Sequence, residues 1–258
     1  MEVAEGNVRP PVRALEVRQL VKFYRGATLP ALDGLEMSIE PGEVFGLLGP
    51  NGAGKTTAIS ILCTLLKPTS GSLSIFGIDV LRQPARVRRL IGLVPQEIAL
   101  YPLLSARENL AYFGRLHGLR GGELRDRIDQ CLDLVALREQ ADRKVAGFSG
   151  GMKRRANLAA GILHRPRLLF LDEPTVGIDA QSRHMILENL GRLRETGMTM
   201  VYTTHYMEEA QQLCDRIAIV DAGRVIAEGK PRDLIAGAVG CGNLEALFLR
   251  LTGRQLRD

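Results

Sequence analysis

Eight residues, Gly49-Pro50-Asn51-Gly52-Ala53-Gly54-Lys55-Thr56, constrain this chain more than any other feature. They fit G-x-x-x-x-G-K-[ST], follow the apolar run Val44–Leu48 and precede a helical pattern over residues 56–66, the strand–loop–helix setting in which that motif works. Glycines let backbone N–H groups turn inward around a phosphate chain, and the helix N-terminus adds partial positive charge. Lys55 is placed to reach the outer phosphates and the Thr56 hydroxyl to ligate Mg²⁺. A glycine-rich turn is the plain alternative, but it would need neither the strand before nor the helix after.

A second apolar run, residues 168–171, ends in Asp172 and Glu173. A carboxylate at the C-terminal edge of a sheet, beside a phosphate loop, is placed to hold Mg²⁺ through water, which is the role expected of Asp172. A second carboxylate there can polarise a water in line with the γ-phosphate, so Glu173 is the expected general base. In isolation the pair would read as a solvated strand end.

The surrounding pattern fixes the fold class. Runs at 44–48, 168–171, 198–203 and 217–220 are nearly continuous in apolar residues, as strands covered on both faces are, and helical stretches at 56–66, 180–195 and 207–214 alternate with them. This predicts an α/β core with a mainly parallel sheet. Leu15, Val17 and Leu20, then Leu35, Met37 and Ile39, alternate with polar residues and predict an N-terminal antiparallel β layer. From about residue 97 to 161 only helical patterns occur, including 106–117 and 123–135 with a stop at Gly121 and Gly122, which predicts an inserted helical subdomain. The expected division is a leading tail at 1–13, a main domain at 14–235, and a helical appendage and polar tail at 236–258, with a helix at 244–251.

Composition narrows the class. Hydrophobic residues make up 45% and charged residues 24%, the balance of a globular protein, yet no apolar run approaches the ~20 residues of a membrane span. The first residues lack an apolar signal region, so a cytosolic location is expected. Cys63, Cys131, Cys214 and Cys241 show no C-x-x-C spacing and are read as reduced thiols. The basic runs Arg86, Arg88, Arg89 and Lys153, Arg154, Arg155 come without a stacking platform, so solvated helix faces are expected there and no specific nucleic acid.

Phe148-Ser149-Gly150-Gly151-Met152 supplies a second anion-binding helix end. With that addition the sequence resembles the nucleotide-binding subunit of ABC transporters, whose signature is usually Leu-Ser-Gly-Gly-Gln; here Phe148 replaces the leucine and Met152 the glutamine. The resemblance covers roughly residues 14–235 and implies a P-loop NTPase core of the ABC ATPase fold. It gives Tyr24 the role of stacking on adenine and places Thr57 with the phosphate loop. Gln96 becomes the glutamine between the two subdomains, a catalytic and metal-proximal residue. Asp179 in Gly177-Ile178-Asp179 matches the D-loop, and His205 the switch histidine. Asp172 to Asp179, Tyr206-Met207-Glu208-Glu209-Ala210 and the ending 244–257 further resemble the daunorubicin-resistance branch of bacterial exporters of drugs, lipids or polysaccharides.

The resemblance implies an Mg²⁺-dependent ATPase in which two copies sandwich two ATP molecules. Each ATP lies between the Lys55 loop of one subunit and Ser149, Gly150 and Gly151 of the other. Closure would drive a separate integral-membrane permease from a peripheral position on the inner face of the cell membrane, with a homodimer the expected form. A soluble ABC ATPase clamping nucleic acid or ribosomes is the alternative; one cassette without heptad runs between Lys55 and Asp172 speaks against it. A regulatory nucleotide-binding module would need neither Glu173 nor His205. Residues 98–104, seven nearly uncharged positions after Gln96, are expected either to receive a helix of the permease or to fill the helical core.

Overall fold

A computed structural model describes residues 12–253. The expected leading tail lies outside the described residues apart from Val12 and Arg13, as do residues 254–258. The chain runs β1 (Leu15–Lys22), β2 (Leu32–Ile39), β3 (Val44–Leu48), α1 (Lys55–Leu62), β4 (Ser70–Ile75), β5 (Ile78–Asp79), α2 (Pro84–Val87) and β6 (Ile91–Val94). Three helices follow, α3 (Ala106–Leu116), α4 (Gly121–Leu134) and α5 (Gly150–Ile162). The remainder is β7 (Leu168–Asp172), α6 (Ala180–Glu195), β8 (Thr199–Thr203), α7 (Met207–Leu213), β9 (Arg216–Asp221), β10 (Arg224–Gly229), α8 (Pro231–Ala236) and α9 (Leu244–Thr252).

The continuous apolar runs are strands with a core on each face. In β3, Phe45 and Leu47 join one apolar cluster while Val44 and Leu48 join the other. β7 repeats this, with Leu168 and Phe170 on one side and Leu169 and Leu171 on the other. Alternation therefore persists in the geometry but vanishes from the composition, because both faces exclude water. These strands form a six-stranded sheet in the order β10-β9-β3-β8-β7-β6, parallel from β9 to β6 with β10 antiparallel at the edge. The other sheet, β2-β1-β4-β5, is antiparallel, and its buried Leu15, Val17, Leu35 and Met37 share a core with α1 and one face of the larger sheet.

Helices α3, α4 and α5 pack on one another. α3 opens with a capping box, Ser105 accepting from the Glu108 N–H while Glu108 accepts from the Ser105 N–H at 2.7 Å. Two local expectations are corrected. Gly121 and Gly122 do not stop a helix; they start α4, whose Leu124, Ile128, Cys131 and Leu132 supply one buried face, and glycine costs little in a first turn whose N–H groups have no intrahelical partner. Lys153, Arg154 and Arg155 are not a solvated face: Arg155 is buried and donates to the Val135 and Ala136 carbonyls at 2.7 and 3.0 Å, tying α5 to the end of α4. Residue 235 lies within α8, and α9 places Leu244, Leu247 and Phe248 in the same apolar cluster as Met207 and Ala210 of α7.

The parallel topology positions the chemistry. β3, β8, β7 and β6 are adjacent and run the same way, so the segments that leave them all emerge at one edge. Those segments are residues 49–54, the turn of Thr204 and His205, Asp172 with Glu173, and the stretch holding Gln96.

Candidate active site

The loop after β3 closes on itself. Gly54 adopts φ 105° immediately before α1, a conformation in which a Cβ would strike the Ala31 carbonyl oxygen, so only glycine fits. Lys55 is buried, and its ammonium donates to the Gly49 and Pro50 carbonyls at 2.7 and 3.1 Å. Burial lowers its pKa, while the Glu173 and Asp172 carboxylates act to raise it. Asn51, Gly52, Ala53, Gly54, Lys55, Thr56 and Thr57 line a cavity of about 450 Å³ whose opposite wall is Gln96, Glu173 and His205.

Asp172 and Glu173 are prepared differently. Asp172 lies opposite Thr203 in the β7–β8 register and accepts its hydroxyl at 2.8 Å. Burial raises the Asp172 pKa; hydrogen bonds from Thr203 and Thr56 and the Lys55 charge oppose that rise. Glu173 adopts φ 49°, a strained value for a side-chain-bearing residue, and its N–H donates to the Thr203 Oγ1 at 2.9 Å. One oxygen of its carboxylate, Oε2, receives Gln96 Nε2 at 2.9 Å and His205 Nε2 at 2.6 Å. Strain of this kind persists only where surrounding contacts over-determine it, and here they aim one carboxylate into the cavity.

Tyr24 is half exposed, with its hydroxyl 3.2 Å from Thr57 Oγ1, at the rim of the same loop. Ser149, Gly150, Gly151 and Asp179 do not line the cavity. They form a separate patch. Ser149 caps α5 by accepting the Met152 N–H at 3.2 Å, and Asp179 caps α6 by accepting the Ser182 N–H and hydroxyl at 2.9 and 2.7 Å. A Cβ on Gly151 would collide with Ser182, so the two helix starts abut only because that position is glycine.

Residues 32–176 match the family model described as ABC transporter. The chain is 50% identical over 220 residues to the linearmycin resistance ATP-binding protein LnrL of Bacillus subtilis, covering 85% of this chain and 70% of that one. It is 45% identical to the daunorubicin/doxorubicin resistance ATP-binding protein DrrA of Streptomyces peucetius, over 87% of this chain and 67% of that relative. This chain belongs to the ABC transporter ATP-binding family. A solved ATP-binding subunit of an ABC transporter superposes with a TM-score of 0.83 at 30% identity, covering 92% of this chain and 99% of that one. A dimeric ATP-binding cassette in a post-hydrolysis state bound to ADP and Pi gives 0.77 at 31% identity, over 84% and 98%.

Within this ABC cassette, three contributors are absent from the motif reading. Thr203 ties Asp172 to Glu173, and its only signal is a hydroxyl closing the apolar run of β8. Arg154 donates to the Gln96 carbonyl and, at 3.0 Å, to the Val176 carbonyl, bracing the two segments that flank Glu173. Ala31 forms part of the cavity wall. No local pattern marks the last two, because each depends on segments distant in sequence.

Proposed function

We propose that this chain hydrolyses ATP with Glu173 as general base and thereby powers a separate membrane permease that exports a drug-like, lipid or polysaccharide cargo. The observation that carries the reading is the Glu173 carboxylate, fixed by Gln96 and His205 on the wall facing the Lys55 loop. The N–H groups of residues 51–56 and the Lys55 ammonium hold the phosphates, and Glu173 takes a proton from the attacking water. Gln96 and His205 hold that carboxylate in line and sense whether the outer phosphate is there. Tyr24, at the loop rim, offers its ring to the adenine.

Asp172 and Thr56 fit Mg²⁺. They place two hard oxygen donors in hydrogen-bond contact beside the phosphate loop, and a buried carboxylate favours a cation. Held by Asp172 and Thr56, such an ion would supply positive charge that offsets the charge of the transferred phosphate. Gln96 stands at the edge of this set.

Ser149, Gly150, Gly151 and Asp179 require a second subunit, because within one chain they lie apart from the cavity; a homodimer satisfies this. The exporter assignment draws on the relatives named for drug resistance and on the Nod factor export ATP-binding protein I of Burkholderia thailandensis, 44% identical over 91% of this chain and 76% of that one. Among the described residues no helix is long and apolar enough to cross a membrane, which accords with a separate permease and a peripheral position at the inner membrane face. The test is Mg²⁺-dependent phosphate release by the purified chain, together with its capture by membranes in which a multi-span permease of an ABC exporter from the same organism is expressed. Absence of ATP turnover in the captured complex would overturn the reading.

A further inference from the structure

Glu209 sits in the first turn of α7 with its side chain 4% exposed, and hydrolysis as described gives it no task. Its Oε2 accepts three hydroxyl hydrogen bonds, from Thr204 at 2.5 Å, Tyr202 at 2.7 Å and Thr175 at 3.0 Å. The donors come from three different stretches. Tyr202 belongs to β8, Thr204 precedes His205, and Thr175 lies in the loop that runs from Glu173 to Asp179. The Thr204 hydroxyl also accepts the Tyr206 N–H at 3.0 Å, so His205 is held between Thr204, which bonds the carboxylate, and Tyr206, which bonds the Thr204 hydroxyl. Arg183, in the first turn of α6 beyond the Asp179 cap, approaches the other oxygen with its Nε at 3.7 Å and lays its guanidinium 3.8 Å over the Tyr206 ring.

A buried carboxylate is expensive where packing alone is needed, since apolar residues of similar volume fill such a space at lower cost. Three O–H donors converging on one oxygen suit an ionised acceptor, and the arrangement joins segments that the backbone ladder does not join. We propose that Glu209 is a positioning residue for hydrolysis: it locks the turn that carries His205 to the loop between Glu173 and Asp179. Through that lock, a shift of the Asp179 region is transmitted to the hydrogen bond between His205 and Glu173. The proposal rests on the reading of Glu173 as base and His205 as its partner.

The test compares Glu209→Gln with Thr175→Val, which removes one hydroxyl donor at constant volume and leaves Glu209 two others. Turnover per bound nucleotide, KM for ATP and Tm are measured for each, alone and with His205→Ala. Expected are a fall in kcat of about tenfold or more for Glu209→Gln and of roughly three- to tenfold for Thr175→Val, with KM within about twofold. If Glu209 acts through His205, neither change lowers kcat further in the His205→Ala background. Wild-type turnover per bound nucleotide in both variants, or the same proportional loss with and without His205, overturns the proposal. Where Glu209→Gln fails to fold, Thr175→Val decides. Normal turnover in His205→Ala and Glu173→Gln themselves would overturn the site reading and this proposal together. Loss in those two, with normal turnover in the other pair, overturns this proposal alone.

Discussion

The pocket around Glu173 and the patch around Ser149 are both made of loops entering helices, yet they are finished in opposite ways. In the pocket, internal partners abound: Lys55 bonds two loop carbonyls, Asp172 accepts from Thr203, and Glu173 accepts from Gln96 and His205. At the patch, Ser149, Gly150 and Asp179 are exposed, and their cap bonds reach no farther than three residues along the chain. The chain thus carries one cavity wall braced from within and one helix end that its own fold leaves uncovered. Charged groups that need fixing are braced inside the chain, while the Ser149 helix end is left open to solvent.

Breaking the inner wall has the largest expected effect. Glu173→Gln removes the base but keeps the shape, so kcat falls by about 10²-fold or more while ATP binding persists. Equal phosphate release by variant and wild type would remove the base assignment. Lys55→Ala deletes charge-assisted bonds to the phosphates and weakens nucleotide affinity by about 10- to 100-fold, read by equilibrium binding. On the outer patch, Ser149→Arg placed in the Glu173→Gln chain abolishes the ATP-dependent dimer in sedimentation, yet changes nucleotide affinity of the monomer less than about threefold. A dimer that survives this change would show that the patch is not a shared surface.

The same contrast governs what the sequence discloses. The phosphate loop is legible because its residues are consecutive, Asp172 and Glu173 because they close a continuous apolar run, and β3, β7, β8 and β9 because two buried faces leave mostly apolar residues. Strands that are less buried are not. β4 reads Ser-Gly-Ser-Leu-Ser-Ile with only Leu73 and Ile75 buried, and β10 alternates exposed with half-buried residues, so neither carries a strong apolar period. The links that hold Glu173 in place stay hidden for another reason. Thr203 acts because β8 lies beside β7, and Arg154 because α5 passes between two loops, and neither adjacency is written in local pattern. Ser149, Gly150, Gly151 and Asp179 stand out as motifs in the sequence, whereas their separation from the cavity of their own chain is seen only in space.

A smaller effect separates stability from function within the inner wall. Burial raises the Asp172 pKa above its value in the unfolded chain, so the unfolded state gives up this proton at lower pH. Folding therefore loses free energy as pH rises from the ordinary aspartate pKa through the raised one of the folded chain. Asp172→Asn, which still accepts from Thr203, should raise the nucleotide-free Tm at pH 7 while activity is lost. The gain should shrink as pH falls toward the unfolded-state pKa. A gain independent of pH would mean that packing, not charge, is the cause.

The smallest change in the isolated chain is expected at a second outward region. Asn109 is buried and fixes the backbone after Gln96, accepting the Tyr101 N–H at 2.7 Å and donating to the Tyr101 carbonyl at 3.0 Å. The side chains there divide: Leu100 packs against the helical core, whereas Tyr101 is 46% and Leu103 75% exposed. Tyr101 meets the Tyr112 ring edge-to-face at 5.1 Å, donates its hydroxyl to that of Tyr112 at 3.3 Å, and lies less closely against Phe113 at 6.3 Å. Tyr101→Glu therefore forfeits about 0.5–1.5 kcal/mol of ring contact and leaves the Asn109 clasp intact. Basal ATPase should stay within about twofold of wild type, because no atom of Tyr101 borders the cavity. Capture by the membrane permease should fail, since a charge now sits in the apolar strip that continues from the Gln96 segment. Unfolding of the variant would assign the strip to the core after all, and undiminished capture would move the docking surface elsewhere. Leu100→Glu is the contrasting control: it drives a charge into packed helices and should cost the fold itself, which separates a residue that supports the surface from one that forms it.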